Sequence, residues 1–224
     1  MNLSKRLSKI VSMVPKGSRI ADVGCDHGFV TIELLENGIA ASACALDVNR
    51  DPLEKARENA RAHGLEERIE FYLSNGLEKL PADKADTVII AGMGGILITD
   101  ILEGTPSYVK KDIKRYILAP QSEYSRFRHY LHDNGYRIID EKMIMEDGKY
   151  YPIVVAEVSQ NIQKYEKEIE YRYGKILIDE KDECLLECMR HDARIIKDLL
   201  KNDSLPESRR SELESELAQM EGLV

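Results

Sequence analysis

Three carboxylates and several glycines recur at intervals that would let them surround a ligand. The first group is Asp22-Val23-Gly24-Cys25-Asp26-His27-Gly28, in which two glycines flank an acid and an imidazole. Gly24 and Gly28 let the backbone turn sharply and come close to a bound molecule. The first amides of a helix that follows such a loop point unpaired N–H groups at the same place. The spacing is G-x-x-x-G and not the dinucleotide pattern G-x-G-x-x-G, and Asp26 would repel a pyrophosphate. A cationic or zwitterionic ligand suits the loop better.

The second carboxylate, Asp47, follows Gly24 by 23 residues and is itself followed by Val48. At that distance a carboxylate accepts two hydrogen bonds from ribose hydroxyls. Ser74-Asn75-Gly76 offers a side-chain amide and a close backbone to the edge of an adenine. Ala91-Gly92-Met93-Gly94-Gly95 is a glycine-rich turn suited to backbone approach at the reacting end of a cofactor or at an incoming acceptor. Taken in order, these loops read as a nucleoside-cofactor enzyme, with S-adenosylmethionine supplying the zwitterionic amino acid and the sulfonium. Asp22, Gly24, Cys25, Gly28, Asp47, Val48, Asn75, Gly76, Ala91, Gly92 and Met93 are its expected contacts. The bland alternative is that Asp22 only bonds loop amides, His27 only caps a helix and the glycines only serve packing.

Such loops need strand ends to hold them. Leu3, Leu7, Ile10, Val11 and Val14 recur at helical spacing before Pro15-Lys16-Gly17 breaks the pattern. Short apolar runs at 19–23, 43–48, 69–73, 87–91 and 116–118 read as strands, alternating with helical stretches at 29–36, 51–63 and 95–103. That alternation predicts an α/β fold with a mostly parallel sheet covered on both faces. A helix at 124–134 and two strands at 136–144 and 151–158 around Glu146-Asp147-Gly148-Lys149 predict an antiparallel edge. The character then changes, so residues 1–159 and 160–224 are expected to form separate domains. The last 65 residues hold only Gly174, Gly222 and Pro206 as breakers. Ile195, Ile196, Leu199 and Leu200, then Leu213, Leu217 and Met220, keep three-four spacing around a break at Asp203 to Glu207, which predicts two antiparallel helices packed as a short coiled coil.

Composition narrows the partners. The chain has 224 residues, 43% hydrophobic and 32% charged, and no apolar stretch approaches the roughly 18 residues that span a bilayer. With no apolar leader after Met1, a cytoplasmic, membrane-free protein is expected. Cys25, Cys44, Cys184 and Cys188 lack paired CxxC spacing and read as reduced thiols; with His191 the only neighbouring ligand, Cys184 and Cys188 suggest buried small residues and no metal site. The net charge of −8 hides a gradient, 21 Lys and Arg against 24 Asp and Glu in residues 1–159 and 11 against 16 afterwards. Local basic clusters, Lys5 to Arg19 and Lys110 to Arg115, can still sit on such a protein.

The loops 22–28, 47–49 and 91–95, together with Leu118-Ala119-Pro120-Gln121 and Tyr150-Tyr151-Pro152-Ile153, resemble those of the bacterial TrmK family, tRNA (adenine-22, N1)-methyltransferases. The resemblance covers nearly the whole chain. It implies a class I methyltransferase fold, Rossmann-like with a mostly parallel seven-stranded sheet, followed by a helical coiled-coil-like domain. It also implies methyl transfer from S-adenosylmethionine to an adenine N1 of tRNA. On loop position, Asp26 is the candidate to stabilise the cationic adenine or accept a proton from N6, with His27 assisting and Gly92 to Gly94 shaping the acceptor slot. Lys5, Arg6, Lys9, Lys110, Lys111, Arg126 and Arg128 would grip the tRNA backbone. Two other readings stay open: a methyltransferase of a small molecule or protein, and a nucleotide-sensing or RNA-binding module without turnover. Monomer and weak homodimer are equally compatible with the sequence.

Overall fold

Neighbouring residues Ile20 and Ala21, Val88 and Ile89, and Ile117 and Leu118 point to opposite faces of their strands, yet all are buried. Only a sheet covered on both sides permits that. The computed structural model describes residues 3–202 and 204–223; Met1, Asn2, Asp203 and Val224 lie outside the described residues. The first residue of the expected break at Asp203 to Glu207 is therefore among those not described.

The elements are α1 (Lys5–Ser12), β1 (Ser18–Val23), α2 (Phe29–Glu36), β2 (Ala40–Asp47), α3 (Arg50–Ala62), a 3₁₀ turn (Glu66–Arg68), β3 (Ile69–Leu73), β4 (Thr87–Met93), α4 (Gly95–Gly104), α5 (Ser107–Asp112), β5 (Arg115–Pro120), α6 (Tyr124–Asp133), β6 (Tyr136–Glu146) and β7 (Lys149–Val158). The sheet order is β3-β2-β1-β4-β5-β7-β6. β7 runs antiparallel to β5 and β6, and the other pairings are parallel. This is the mostly parallel seven-stranded sheet expected from the sequence. The order reverses direction between β1 and β4, and a crevice opens at the carboxyl ends of strands flanking such a switch point.

One apolar layer joins Ile20, Ala45 and Ile89 to α1, α2 and α3, and the other joins Ala21, Val88 and Leu118 to α4 and α6. Two local details escape the apolar pattern. β4 continues past Ala91, with a register shift against β5 between Ala91 and Met93. β6 shifts register against β7 between Ile138 and Asp140, so Ile138 and Glu141 face the same side.

Among the described residues, the C-terminal segment forms four helices where the sequence predicts two: α7 (Glu168–Tyr173), α8 (Lys175–Asp179), α9 (Glu183–Leu200) and α10 (Glu207–Glu221). Gly174 separates the first two, too short a stretch for hydrophobic periodicity to reveal. α10 packs back on α9 and α7. Their apolar cluster includes Ile169, Leu185, Cys188, Met189, Ile196, Leu213 and Met220, and takes in Met143 of β6. Ile195 and Leu199, which keep helical spacing in the sequence, are exposed.

Arg128 of α6 has the role of a structural ion pair, a correction to its expected contact with tRNA. It is 1% exposed, with Nε donating to Glu141 Oε1 at 2.8 Å and Nη1 to the carbonyls of Tyr171 and Arg172. Glu141 also accepts from the Ile176 amide. The pair thus joins α6, β6, α7 and α8, and the buried side chain borders a cavity with Nη2 unpaired among the described residues, away from the surface where an RNA backbone would lie. A basic residue on an amphipathic helix looks like surface until the element that covers it is known.

Candidate active site

A cleft of about 490 Å³ lies at the switch point, lined by the carboxyl ends of β1, β2, β3 and β4. Its size is within the range of small-molecule and cofactor pockets. Of the expected cofactor contacts, Asp22, Gly24, Cys25, Asp47, Val48, Asn75, Gly76, Ala91, Gly92 and Met93 line it, as do Asp26 and His27. Gly28 caps α2 immediately behind the loop, in a left-handed conformation.

Backbone hydrogen bonds set the first loop. The amides of Gly24 and Cys25 both donate to the Leu46 carbonyl, at 2.8 and 3.1 Å, and the Gly28 amide donates to the Cys25 carbonyl at 2.7 Å. Asn59 of α3 donates to the His27 carbonyl at 2.9 Å. At Gly24 the backbone has φ +69°, and a Cβ there would lie 2.2 Å from Met93 Cε. The left-handed backbone therefore favours glycine at the floor of the cleft, where a Cβ would also push aside the flexible end of Met93. At Gly95 the limit is steric, because a Cβ there would meet the Ser122 carbonyl at 2.6 Å.

The carboxylates differ in setting. Asp22 is 6% exposed and accepts from Thr31 Oγ1 at 2.7 Å. Burial pushes its carboxyl up to about 6; the Thr31 hydrogen bond opposes this and the nearby charge of Asp47 adds to it. Asp47 is 7% exposed, and its Oδ1 accepts from the Asn49 amide at 2.8 Å, leaving Oδ2 for a ligand. Asp26 is different, with a side chain 70% exposed at the mouth and a backbone at φ +46°. His27 Nε2 lies 3.7 Å from Asp26 Oδ1, and its ring stacks on Phe29. Burial, aided by the acids around it, pushes the Cys25 thiol far up, which removes it as a thiolate nucleophile.

Asp22 carries a pH signature. Its folded value of about 6 exceeds the ordinary 3.8, so its contribution to stability is fully present below about pH 4 and is lost as pH rises through 6. Asp22→Asn should therefore stabilise the ligand-free protein at pH 7.5 by on the order of 2–3 kcal/mol, at about 1.4 kcal/mol per unit. The gain should shrink towards zero near pH 4, as urea unfolding at several pH values would measure. An equal gain at both ends of the range would refute the burial explanation.

The basic residues are divided among several places. Arg6 lines the cleft, while Lys5 is exposed and Lys9 half-buried on the same helix. Lys110 and Lys111 lie on α5, which leads into the amino end of β5, and their neighbours Asp112 and Lys114 bond to the loop before β4. They occupy the end of the sheet opposite the cleft. Arg126 is exposed at the start of α6 and borders a second cavity, of about 620 Å³, that Tyr124, Tyr150 and Asp192 also line. Gly94 precedes α4 beside Ser122, where the acceptor slot was expected.

Sequence reasoning missed Thr31, Leu97 and Ile101. Thr31 stands in the first turn of the helix after the glycine loop, a position from which a hydroxyl can reach back to the strand end. That spacing was readable. Leu97 and Ile101 form an apolar wall on α4 facing the cleft, one turn apart at i and i+4.

Comparison with known proteins gives a consistent picture. Residues 3–154 match the methyltransferase domain family. A Bacillus subtilis protein, tRNA (adenine(22)-N(1))-methyltransferase, is 35% identical over 167 residues, 74% of this chain and 69% of that protein. The crystal structure of the B. subtilis M1A22 tRNA methyltransferase TrmK superposes with a TM-score of 0.81 at 29% identity, over 99% of this chain and 97% of the other. A Streptococcus pneumoniae protein crystallised in complex with S-adenosyl-L-methionine superposes with a TM-score of 0.88 at 32% identity, over 99% of both chains.

Proposed function

The chain belongs to the methyltransferase family that includes TrmK, the bacterial tRNA (adenine(22)-N(1))-methyltransferase, and from that membership we propose that it methylates N1 of adenine 22 in tRNA. The observation that carries this reading is the cleft itself, an acidic cavity with a glycine floor at the four strand ends of a chain alike over its whole length to such an enzyme.

The cleft suits S-adenosylmethionine by its donor set. Asp47 Oδ2 is free to accept from a ribose hydroxyl, and Asp22 offers a buried anion to the methionine ammonium. Asn75 donates its amide to Glu78 at 2.7 Å, which leaves its oxygen to accept from an adenine amino group. Gly24, in a left-handed conformation that favours glycine, turns the backbone at the floor of the cleft. When bound, S-adenosylmethionine supplies an electrophilic methyl group on its sulfonium.

The chain's own residues then orient and shield. Gly92 and Met93 line the cleft where a flat base would approach the backbone, with Gly94 following at the start of α4, and the apolar wall of Leu97 and Ile101 limits water. The acceptor N1 uses an in-plane lone pair, so the adenine must first leave its stack, at a cost of a few kcal/mol. Positive charge grows on the adenine as N1 bonds to the methyl, and the carboxylate of Asp26 at the mouth stabilises it. His27 assists by holding Asp26 from one side. Lys5, Lys9 and Arg126 lie towards the cleft end and would meet phosphates there, whereas Lys110 and Lys111 could meet only a distant part of so large a substrate. Residues 160–224 act as a second domain that braces the tRNA. Such a substrate puts the protein in the cytoplasm. Among the described residues, no helix is long and apolar enough to cross a membrane.

The test is incubation with labelled S-adenosylmethionine and unmodified tRNA, followed by nucleoside mass spectrometry and a reverse-transcription stop map. A 1-methyladenosine stop at position 22 is expected. Cofactor binding with no labelled RNA would turn the assignment towards a small-molecule or protein acceptor, or a sensor without turnover.

A further inference from the structure

The second cavity, of about 620 Å³, lies at the same end of the sheet as the cleft. Antiparallel pairing of Leu118 with Val154 sets the start of β7 beyond the carboxyl end of β5, and Tyr150 and Pro152 form one wall from there. Tyr124 and Arg126 of α6 supply a second wall, and Tyr173 of α7 and Asp192 of α9 a third. Between this cavity and the cleft stands the β5–α6 turn, Gln121 to Glu123, which at three residues spans at most about 10 Å. The turn rests on the glycine loop after β4. The Gln121 amide donates to the Met93 carbonyl at 2.9 Å, and the Ser122 carbonyl accepts from the Gly95 amide at 3.1 Å. Glu123 then takes a left-handed backbone, φ +55°, that turns the chain sharply into α6.

Several polar groups around the cavity are uncommitted. Arg126 is exposed at the rim and has no ion pair or hydrogen bond among the described residues. The Tyr150 hydroxyl likewise has no partner among them, and Asp192 accepts from Tyr173 Oη through Oδ2 at 2.9 Å, which leaves Oδ1 free. Arg128, by contrast, is held by Glu141 and two carbonyls and is not offered to a ligand. Aromatic rings in a cavity, a free cation at its rim and polar groups within it match the needs of an unpaired nucleotide. A ring stacks on the base, the cation meets the phosphate, and the polar groups bond the base edge.

We propose that this cavity takes the unstacked base of a nucleotide flanking the methylated adenine, with Tyr150 as its stacking partner and Arg126 at its phosphate. The proposal rests on the reading of the cleft as the site of adenine methylation. Drawing the target adenine out of its stack strips one face from each neighbour, and an aromatic cavity one short turn away replaces the lost contact. Asp192 Oδ1 then accepts from an amino or imino group on the edge of that base. The RNA backbone stays outside, at the rim with Arg126, and only the base enters. Tyr173 and Asp192 belong to the C-terminal helices, so these helices complete a subsite whose other walls are α6 and β7.

The experiment measures kcat/KM for three unmodified tRNAs, one intact and two abasic at one or the other nucleotide flanking adenine 22. The enzymes are the unaltered full chain, Tyr150→Ala, Tyr150→Phe and Arg126→Gln. With intact tRNA, Tyr150→Ala should lose about 5- to 100-fold, the range of a base–aromatic stack, while Tyr150→Phe stays close to the unaltered protein. The unaltered protein should lose a similar factor on one abasic tRNA, and Tyr150→Ala should lose nothing further on it. Arg126→Gln should lower the salt slope of tRNA binding by about one. Calorimetry with S-adenosylhomocysteine should give the same affinity for all four proteins. Losses from Tyr150→Ala and from the abasic site that multiply would overturn the proposal, because the two would then be independent. Should Tyr150→Ala fail to fold, the unaltered protein still decides, since equal rates on all three tRNAs would also overturn it. If the unaltered protein leaves adenine 22 of intact tRNA unmethylated, the reading of the cleft fails and the proposal falls with it.

Discussion

Asp26→Asn is expected to slow tRNA methylation by about 10²–10³-fold, the scale on which a preorganised electrostatic contact acts, while S-adenosylhomocysteine affinity stays nearly unchanged. The substitution is unusually clean. Asp26 adopts φ +46°, a conformation that asparagine tolerates as well as aspartate. The loop is held by backbone bonds from Gly24, Cys25 and Gly28 and by Asn59, none of which involves the Asp26 carboxylate. Only the charge at the mouth changes. Single-turnover rates with saturating tRNA, set beside a calorimetric dissociation constant, separate the possible roles. A normal rate with weakened cofactor would assign Asp26 to binding, and no change in either would remove it from the site.

Why this loop could be read from the sequence, and other parts of the site could not, follows from chain distance. Asp22, Gly24, Asp26 and Gly28 act within one strand–loop–helix unit, so their relation is local and their order carries it. Asp47 is the next strand end, and pairing β1 with β2 from Ser18 to Val23 brings it alongside without a long closure. Arg6 meets Glu146 across 140 residues, and nothing near Arg6 announces that meeting. The placement of Lys110 and Lys111 was available in principle, because residues that lead into a parallel strand must lie at its amino end, away from the crevice. Their charge drew attention where their order should have. The short helices α7 and α8 form because they pack on α6 and β6, a tertiary cause that no local propensity records.

Arg128→Met should destabilise the protein by about 3–5 kcal/mol, the cost of leaving a buried charge without its partner. Glu141 is fully buried, and even with Arg128 present its carboxyl is held above the ordinary value, because desolvation outweighs the guanidinium and its hydrogen bond. Without Arg128 the carboxyl rises further and takes up a proton on folding. An acid raised in the folded state contributes stability at low pH and loses it as pH climbs, so the deficit of Arg128→Met should deepen from pH 5 to pH 8. Glu141→Gln should be destabilising by a comparable amount at pH 5, but its deficit should shrink towards pH 8, because it removes the raised carboxyl whose contribution the parent protein loses as pH climbs, while the stranded arginine stays charged throughout. Arg128→Met with Glu141→Leu removes both charges and should recover most of the loss. Urea titrations of the three variants at the two pH values supply the comparison, and a flat deficit for Arg128→Met would show that Glu141 does not remain buried once its partner is gone. The same pair holds the carbonyls of Tyr171 and Arg172 and the amide of Ile176. Its loss should therefore speed hydrogen exchange first in α7 and α8, ahead of the central strands, because these helices have the least core of their own.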